Sequence, residues 1–235
     1  MVCTQSDMNL SIIIQKVVRK WMKIRLQPIR VFCLHHVCKQ FDADSMNTGD
    51  WMELSEFQDK IRNLQSQGYQ FISLSKACHH IKKDYLRYRK YAVLAFDDGY
   101  LSLNEVLPWL KTQKIPAVLF INAKYLDGKS YRKNPNEKYL TYNDLFALNH
   151  AFIEIGSHGF EHTDASIMSK EEFAMHIENN VEILHTHPCY IPFHAYTWGR
   201  HNDMTDKMLK SKHIIPVYID GMKNYNQLII HRELL

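Results

Sequence analysis

The sequence lacks the long apolar and basic runs that mark several classes of protein. No stretch of its 235 residues approaches the ~20 consecutive apolar residues that a membrane-spanning helix requires. The net charge is only +4 and no long basic run is present, so nothing favours nucleic-acid binding. A glycine-rich phosphate loop and a dinucleotide fingerprint are also absent. The composition, 46% hydrophobic and 23% charged, is that of an ordinary globular domain.

Cysteine is too sparse and too scattered for a disulfide scaffold. Secreted disulfide-rich domains have an even cysteine count in a shorter chain, whereas this chain has five. They are Cys3, Cys33, Cys38, Cys78 and Cys189. We interpret them as reduced thiols.

Residues 1–29 are interpreted as an N-terminal extension that can form a helix. The short apolar run Leu10–Ile14 precedes the basic residues, whereas a secretion signal places its positive charges first. A cytoplasmic location is therefore the default expectation. Residues 9–26 could form a basic amphipathic helix that contacts a membrane surface. A helix packed on the domain, or a frayed extension, is the favoured alternative.

From about residue 30 onward, strand-like and helix-like segments alternate. The strand candidates are mostly short continuous apolar runs, which are typical of a parallel sheet buried on both faces. They are Val31–Leu34, Gln70–Leu74, Tyr91–Phe96, Ala117–Ile121, Phe152–Ile155, Tyr190–Ala195, Ile214–Ile219 and Gln227–His231.

Helix-start signals lie between these strands, in the form of a Ser or Thr followed three residues later by an acidic or amide residue. The predicted starts are Ser55, Ser102, Thr141 and Ser169. Eight strands alternating with helices in a chain of this length predict a single α/β domain over residues 30–235. We expect a TIM-like β/α barrel, distorted or incomplete, with a doubly wound open sheet as the alternative.

The motif LAFDDGY places two carboxylates at the end of a buried strand. Asp97 and Asp98 follow Tyr91–Phe96, and Gly99 lets the chain turn away. Adjacent carboxylates repel each other, and a metal ion is the obvious compensation. A simple Asp-Asp-Gly turn is the alternative.

The motif GSHGFEHTD places two histidines after another predicted strand. His158 and His162 are four residues apart, and on a helical turn this spacing directs both imidazoles at a common ion. Two unrelated histidines are the alternative, because the chain contains fourteen.

Taken together, the two motifs indicate a catalytic metal site. The C-terminal ends of barrel strands converge on one face, where the active site lies. Asp98, His158 and His162 would supply one oxygen and two nitrogens, and three protein ligands with an open position are typical of catalytic zinc. Asp97 would then be free to act as a base.

These motifs resemble those of the polysaccharide deacetylases, the family 4 carbohydrate esterases that carry the NodB homology domain. LAFDDGY is similar to the family's T-F-D-D-G motif, and the segment from His158 to His162 to its H-[ST]-x-x-H motif, with Gly159 in place of Ser or Thr. VFCLHHV and PAVLFINAKYLDG extend the resemblance over most of the chain from residue 30.

The resemblance implies a metal-dependent hydrolase that removes the N-acetyl group of an amino sugar in a glycan or polysaccharide. Asp97 would be the general base, and Asp98, His158 and His162 would hold one divalent ion. Zinc is the first expectation, with cobalt, nickel or iron as alternatives. The expected partner is an N-acetylated glycan.

The third family motif is degenerate here, as His194-Ala195-Tyr196-Thr197-Trp198-Gly199. Ala195 stands where the family has an arginine, so the electrostatic tuning of Asp97 is open. Trp198 stands where the family has the tyrosine whose backbone N–H binds the oxyanion, a role that survives a change of side chain.

The remaining family positions are assigned by the resemblance alone. Asp220 is similar to the aspartate of the fourth motif, and His231 to the final histidine, which acts as general acid. Arg232 could be the functional residue instead, and His35, at the end of the first strand, could also face the site. The cluster CLHHVC at residues 33–38 is interpreted as incidental, because a strand sends neighbouring side chains to opposite faces.

Two other functions stay open from the sequence. One is a deacylase that acts on another ester or amide with the same residues. The other is a carbohydrate-binding pseudoenzyme, which the degenerate third motif favours and the four intact side chains of the first two motifs oppose.

Overall fold

The computed structural model describes residues 27–44, 51–83, 89–129, 136–148, 151–222, 224 and 230–235. The helix considered for residues 9–26, and both the membrane-surface and the packed alternatives for it, lie outside these ranges. Among the described residues, no helix is both long and apolar enough to cross a membrane.

The described residues form ten strands and six α-helices. The strands are β1 Ile29–Leu34, β2 His36–Cys38, β3 Trp51–Glu53, β4 Tyr69–Phe71, β5 Lys90–Phe96, β6 Ala117–Ile121, β7 Ile153–Ser157, β8 Tyr190–Ala195, β9 Ile215–Ile219 and β10 Ile230–Leu234. The helices are α1 Leu54–Ser66, α2 Leu74–Lys83, α3 Leu103–Gln113, α4 Tyr142–Phe146, α5 Lys170–Leu184 and α6 Asp203–Ser211.

Seven parallel strands close into a barrel. Their order is β1-β10-β9-β8-β7-β6-β5, and β5 pairs again with β1 to complete the ring. Strand β4 lies outside the ring, because it pairs with the first half of β5 while β6 pairs with the second half of the same edge. Strands β2 and β3 form a separate parallel pair. The chain is therefore a single-domain β/α barrel, as predicted.

The eight predicted strands are all present, but only seven of them form the closed ring. Strands β6 and β8 have the predicted bounds, and β10 begins three residues after the predicted start, the intervening residues lying outside the described ranges. The second predicted strand, now β4, does not enter the ring. The open-sheet alternative is excluded, because β1 pairs with both β5 and β10.

The two faces of the barrel strands build two apolar clusters. Inside the barrel lie mostly branched aliphatic side chains together with one phenylalanine, among them Val31, Val93, Val118, Val217, Ile230 and Phe120. The outward face packs against α1 and α3 through Phe57, Ile61, Val106 and Leu110. Fully burying one such side chain stabilises the fold by roughly 1.5–3 kcal/mol. Both faces are thus apolar, which explains the continuous apolar runs of the sequence.

Two of the four predicted helix starts are confirmed as capping boxes. Thr141 caps α4 with Asp144, and Ser169 caps α5 with Glu172. Ser55 does not cap α1, since that helix begins at Leu54 and the Ser55 hydroxyl donates to the Glu53 carboxylate at 2.6 Å. Ser102 is the N-cap residue of α3 without a capping bond, and its hydroxyl lies 3.0 Å from His36 Nδ1.

Candidate metal centre and active site

The C-terminal ends of the barrel strands surround a cavity of about 270 Å³. The end of β5 supplies the two aspartates, the loop after β7 the two histidines, the turn after β8 a tryptophan and β10 an arginine. The lining residues are His35, Asp97, Asp98, His158, His162, Tyr196, Trp198, Gly199, Ile219 and Arg232. Side chains from distant parts of the chain therefore meet at one end of the barrel, as expected for this architecture.

Backbone geometry brings the two adjacent aspartates to the same site. In a continuing strand, Asp97 and Asp98 would point to opposite faces. Asp98 instead adopts a left-handed conformation with φ 70°, and Gly99 follows with φ 76°. A side chain on Gly99 would place its Cβ 2.7 Å from Ile121 Cδ1, so the buried Ile121 side chain would have to shift to admit it. Strained non-glycine residues of this kind cluster at functional sites.

Asp98, His158 and His162 are arranged as a set of metal ligands. Asp98 Oδ1 lies 3.4 Å from His158 Nε2 and 3.3 Å from His162 Nε2, and the three donor atoms all lie within 4.8 Å of one another. Two ligands of a tetrahedral zinc ion, with bonds of about 2.0–2.2 Å, are separated by about 3.4 Å. The donor types and their separations therefore fit a divalent ion.

The hydrogen bonding of His158 also fits a metal ligand. His158 Nδ1 lies 2.8 Å from the carbonyl oxygen of Ala195. A carbonyl only accepts hydrogen bonds, so Nδ1 carries a proton, and Nε2 is the ring nitrogen that faces Asp98 and could bind a metal ion. Metal-binding histidines are commonly fixed by such a bond to backbone oxygen.

The two histidines are brought together by a loop, so the predicted helical turn is wrong. Strand β7 ends at Ser157, and residues 158–162 are irregular. Asn122, which directly follows β6, donates from Nδ2 to the carbonyls of His158 at 2.7 Å and Gly159 at 3.0 Å. A buried amide thus holds the loop in place of helical hydrogen bonds.

His176 occupies the space that a side chain at position 159, where the family motif has Ser or Thr, would need. Gly159 has φ 83°, and a Cβ built on it would lie 2.0 Å from His176 Nε2. His176 lies on α5 and is mostly buried, and burial lowers the pKa of its imidazole to about 4. A serine or threonine at position 159 is therefore incompatible with this placement of His176.

Arg232 forms a buried ion pair with Asp97. Arg232 Nη1 donates to Asp97 Oδ1 at 2.5 Å, and both residues are almost fully buried. Burial alone would raise the pKa of Asp97, but the positive charge of Arg232, aided by His158 and His35, outweighs it. The Asp97 pKa is held well below its ordinary range. An arginine from β10 thus stands beside the aspartate although Ala195 replaces the arginine of the third motif.

The second oxygen of Asp97 faces the remaining polar groups of the cavity. Asp97 Oδ2 lies 3.9 Å from His158 Nε2, and the Cys33 thiol donates to it at 3.4 Å. Burial raises the pKa of that thiol, so it stays protonated. A ring nitrogen of His35 lies within 4.8 Å of both the Cys33 sulfur and a carboxylate oxygen of Asp97. The interpretation of residues 33–38 as incidental therefore needs correction, because Cys33 and His35, two residues apart, both lie beside Asp97.

His231 lies on the other face of β10 from Arg232. Its Nδ1 lies 2.7 Å from Asp220 Oδ2, and its ring centroid is 5.8 Å from that of Tyr218. Side chains alternate along a strand, and Arg232 points into the barrel on the same face of β10 as Ile230. Among the described residues, those lining the cavity include His35 and Arg232 but neither His231 nor Asp220.

Trp198 borders the cavity from the short turn Thr197–Gly199. Its backbone is left-handed with φ 53°, as is that of Gly199 with φ 68°. A Cβ on Gly199 would meet Ile219 Cγ2 at 2.6 Å. The indole packs edge-on against the His162 ring, with centroids 4.6 Å apart. The turn therefore places the Trp198 side chain beside the proposed metal ligand His162.

Sequence reasoning missed the buried polar network that supports the site. Asn180 Nδ2 donates to Ser157 Oγ at 2.9 Å, and Ser157 Oγ lies 3.0 Å from His194 Nδ1. Asn180 Oδ1 also accepts from the Ala123 N–H at 2.7 Å. The available signal was the position of Asn180, a polar residue on the apolar face of α5, and of Asn122, which directly follows an apolar strand.

Comparison of the sequence with family models gives one match. The family described as polysaccharide deacetylase matches residues 86–214, more than half of the chain. No curated protein sequence gives a significant match.

Solved structures of deacetylases have a similar fold. IcaB from Ammonifex degensii has a TM-score of 0.76 at 19% identity, over 89% of this chain and 92% of that one. The Streptococcus pyogenes deacetylase PplD, solved in complex with acetate, has a TM-score of 0.77 at 18% identity, over 89% and 93%. A de-N-acetylase from Aggregatibacter actinomycetemcomitans has a TM-score of 0.76 at 16% identity, over 89% and 95%.

Proposed function

The chain belongs to the polysaccharide deacetylase family, and on that premise we propose that it is a metal-dependent hydrolase that removes N-acetyl groups from the amino sugars of a glycan. The single observation that carries this proposal is the grouping of Asp98, His158 and His162 beside the ionised Asp97. These three residues would hold a divalent ion, which would supply Lewis-acid activation of a carbonyl group and of water.

Asp97 is proposed as the general base. Its Oδ1 is engaged by Arg232, so Oδ2 is the oxygen that faces the metal ligands. Because Arg232 keeps Asp97 ionised, the carboxylate can take a proton from the attacking water. The ion pair also fixes the orientation of the carboxylate, which a base needs in order to reach one water molecule.

The peptide N–H of Trp198 is proposed to stabilise the oxyanion of the tetrahedral intermediate. Trp198 lines the cavity, and the left-handed backbone at Trp198 and Gly199 fixes the conformation of the turn that carries this peptide, which supports the proposal. A fixed backbone donor needs no reorganisation as charge develops, and losing one such donor typically costs about 3 kcal/mol. The role depends on the backbone and is therefore compatible with tryptophan at this position.

We assign the general acid to His35 in place of His231. His35 lines the cavity and approaches Asp97, whereas His231 points to the other face of its strand and pairs with Asp220. A histidine at the cavity wall can protonate the departing amine as the C–N bond breaks. Water adds to the acetamide carbon, and the products are acetate and the free amino sugar.

Acetate release from N-acetylated glycans, with and without a chelator, tests this proposal. We expect release that stops on chelation and resumes when zinc, cobalt, nickel or iron is restored. Release from an O-acetyl ester but from no N-acetyl glycan would replace the proposal with a deacylase of another acyl group. One bound ion without acetate release from any substrate would indicate a carbohydrate-binding protein instead.

A further inference from the structure

Cys33, His35 and Asp97 form a second cluster of metal-binding side chains beside the proposed metal centre. Side chains two residues apart in a strand share a face, so Cys33 follows Val31 into the barrel. His35 lies just past the end of the same strand and lines the cavity. The Cys33 sulfur, a His35 ring nitrogen and an Asp97 carboxylate oxygen all lie within 4.8 Å of one another. The cluster thus offers three ligand atoms that the proposed catalytic ion does not use.

The separation of the sulfur and the carboxylate oxygen suits a zinc ion. The Cys33 thiol donates to Asp97 Oδ2 at 3.4 Å. Sulfur and oxygen ligands of a tetrahedral zinc ion, with bonds of about 2.3 and 2.1 Å, are separated by about 3.6 Å. Arg232 engages Oδ1 of the carboxylate, so Oδ2 is the oxygen that faces the sulfur. An ion could therefore replace the thiol proton between these two atoms with little movement of either side chain.

The sulfur distinguishes this donor set from that of the proposed catalytic ion. Thiolate and imidazole ligands select zinc and similar ions, whereas magnesium and calcium prefer oxygen ligands. Two features weaken the binding of a cation here. The guanidinium of Arg232 lies nearby, and burial raises the pKa of the Cys33 thiol, whose proton the ion must displace. We therefore expect this cluster to bind zinc more weakly than Asp98 and the two histidines do.

A separate depression of about 150 Å³ opens onto the cluster. Cys33 and His35 line it, together with side chains that include Trp51 and Leu234. Among the residues that the structure describes, His35 is the one that this depression shares with the candidate active-site cavity. Pockets that hold organic ligands typically measure about 300–1,000 Å³. The depression is smaller than that range, so it suits an ion with its water molecules rather than a sugar.

From this geometry we propose a second, inhibitory site for zinc, formed by Cys33, His35 and Asp97. On binding, the S–H bond of Cys33 breaks, its proton passes to solvent, and the electron pair of the sulfur forms the bond to the ion. The ion then occupies Asp97 Oδ2 and a ring nitrogen of His35, the groups assigned above to the general base and the general acid. The inhibitory effect rests on the proposed function, whereas the binding of the ion does not.

Cobalt, as a spectroscopic substitute for zinc, tests the site without turnover. A cobalt–thiolate bond gives a charge-transfer absorption that nitrogen and oxygen ligands do not give. In the parent protein we expect this absorption to rise with the second equivalent of cobalt, after the first has bound. Cys33→Ser should lose the absorption, and its affinity for the second ion should fall at least about tenfold, the lower bound for loss of a mere supporting residue.

The variants isolate the contribution of the sulfur. Serine keeps a hydroxyl that can donate to Asp97 as the thiol does, so Cys33→Ser removes the sulfur alone. Cys189→Ser is the matched control, because Cys189 is also a buried free cysteine and belongs to neither cluster of metal-binding side chains. If Cys33→Ser does not fold, His35→Gln replaces it in the cobalt titration and should also bind the second ion more weakly.

The zinc dependence of acetate release tests the inhibition. Each variant is compared with its own rate at one equivalent of zinc. Inhibition by excess zinc in the parent and in Cys189→Ser, but not in Cys33→Ser, supports the inference. Thiolate absorption through Cys33 without acetate release from any substrate supports the site and contradicts only the proposed function. Absence of that absorption in the parent, or its retention in Cys33→Ser, would overturn the site, and binding without inhibition would overturn its inhibitory role.

Discussion

Arg232 on β10 and Asp97 at the end of β5 form an ion pair of 2.5 Å inside the barrel, although 135 residues separate them in the chain. The pair is almost fully buried. It compensates for Ala195, because the guanidinium reaches the aspartate from another strand. Buried pairs of this kind are costly to break from one side, since the remaining charge is left in an apolar interior. This relationship gives the first prediction.

Replacing Arg232 by methionine should destabilise the fold by about 3–5 kcal/mol, because Asp97 then stays buried without its partner. The Asp97 pKa should rise, because the largest charge that lowers it is removed. Denaturant unfolding measures the loss of folding stability. Arg30→Met is the matched control, since its 2.7 Å pair with Glu233 is about one-third exposed and should cost about 1 kcal/mol or less. Equal losses in the two variants would contradict the role given to the buried pair.

The Asp97→Asn variant should retain its metal ion and lose turnover. The proposed ligands are untouched, while the proton acceptor is gone, and general-base catalysis typically contributes about 10²–10⁴-fold. Metal content by elemental analysis and acetate release by a coupled assay give the two readouts. Near-normal turnover would remove Asp97 from the mechanism. A variant that has lost its ion would show instead that Asp97 takes part in binding it.

Replacing His35 and His231 one at a time distinguishes the two candidates for the general acid. His35→Gln should lower kcat about 10²–10⁴-fold on N-acetyl substrates, and His231→Gln should stay close to the parent rate. An acetyl ester with a good leaving group needs no proton from an acid, so on that substrate His35→Gln should recover most of its rate. A large loss confined to His231→Gln would restore the assignment implied by the family resemblance.

Single replacements of the proposed ligands should each weaken metal binding. Loss of a residue that only supports a metal ligand typically lowers metal affinity about 10–100-fold. Loss of a ligand itself should cost at least as much zinc affinity in each of the variants Asp98→Ala, His158→Ala and His162→Ala. Competition with a chromogenic chelator measures the affinity. His201→Ala is a suitable control, because His201 contacts Asp206 outside the ligand set. Unchanged affinity in any of the three ligand variants would exclude that residue as a ligand.

Restoring the family serine at position 159 should destabilise this protein. A side chain there adopts an unfavourable φ of 83°, costing about 1–2 kcal/mol. Contact with His176 adds overpacking of about 1–3 kcal/mol. The double variant Gly159→Ser/His176→Gly should remove the overpacking cost but keep the cost of the unfavourable φ. Thermal and denaturant unfolding of both single variants and the double variant measure the coupling, and strictly additive losses would contradict a steric conflict.

Much of the fold was readable from local patterns. Continuous apolar runs identified the barrel strands because parallel strands are buried on both faces. The acidic pair and the two histidines could be placed together because strand ends of a barrel converge. The helical turn assumed for His158 and His162 failed because their loop is held by Asn122, a tertiary contact that spacing does not reveal.

The choice between His231 and Arg232 needed information that the sequence does not contain. A shift of one residue in register exchanges the faces of all side chains in a strand. Which of the two neighbours enters the barrel is therefore fixed by the pairing of Ile230 with Val217 and of Arg232 with Ile219. The role of Gly159 was hidden for a similar reason, since His176 meets it from a different helix.

The closure of the ring between β1 and β10 has a consequence for biosynthesis. Strand β1 brings His35 to the cavity and β10 brings Arg232, so the first and last strands of the ring complete the site together. During translation, Asp97 and the metal-binding residues leave the ribosome well before β10, and domains fold as units once their parts are available. The base and every proposed metal ligand are therefore synthesised before the counter-ion of the base, but the site is complete only when the whole barrel folds. We expect hydrolysis to begin only after the final strand has docked.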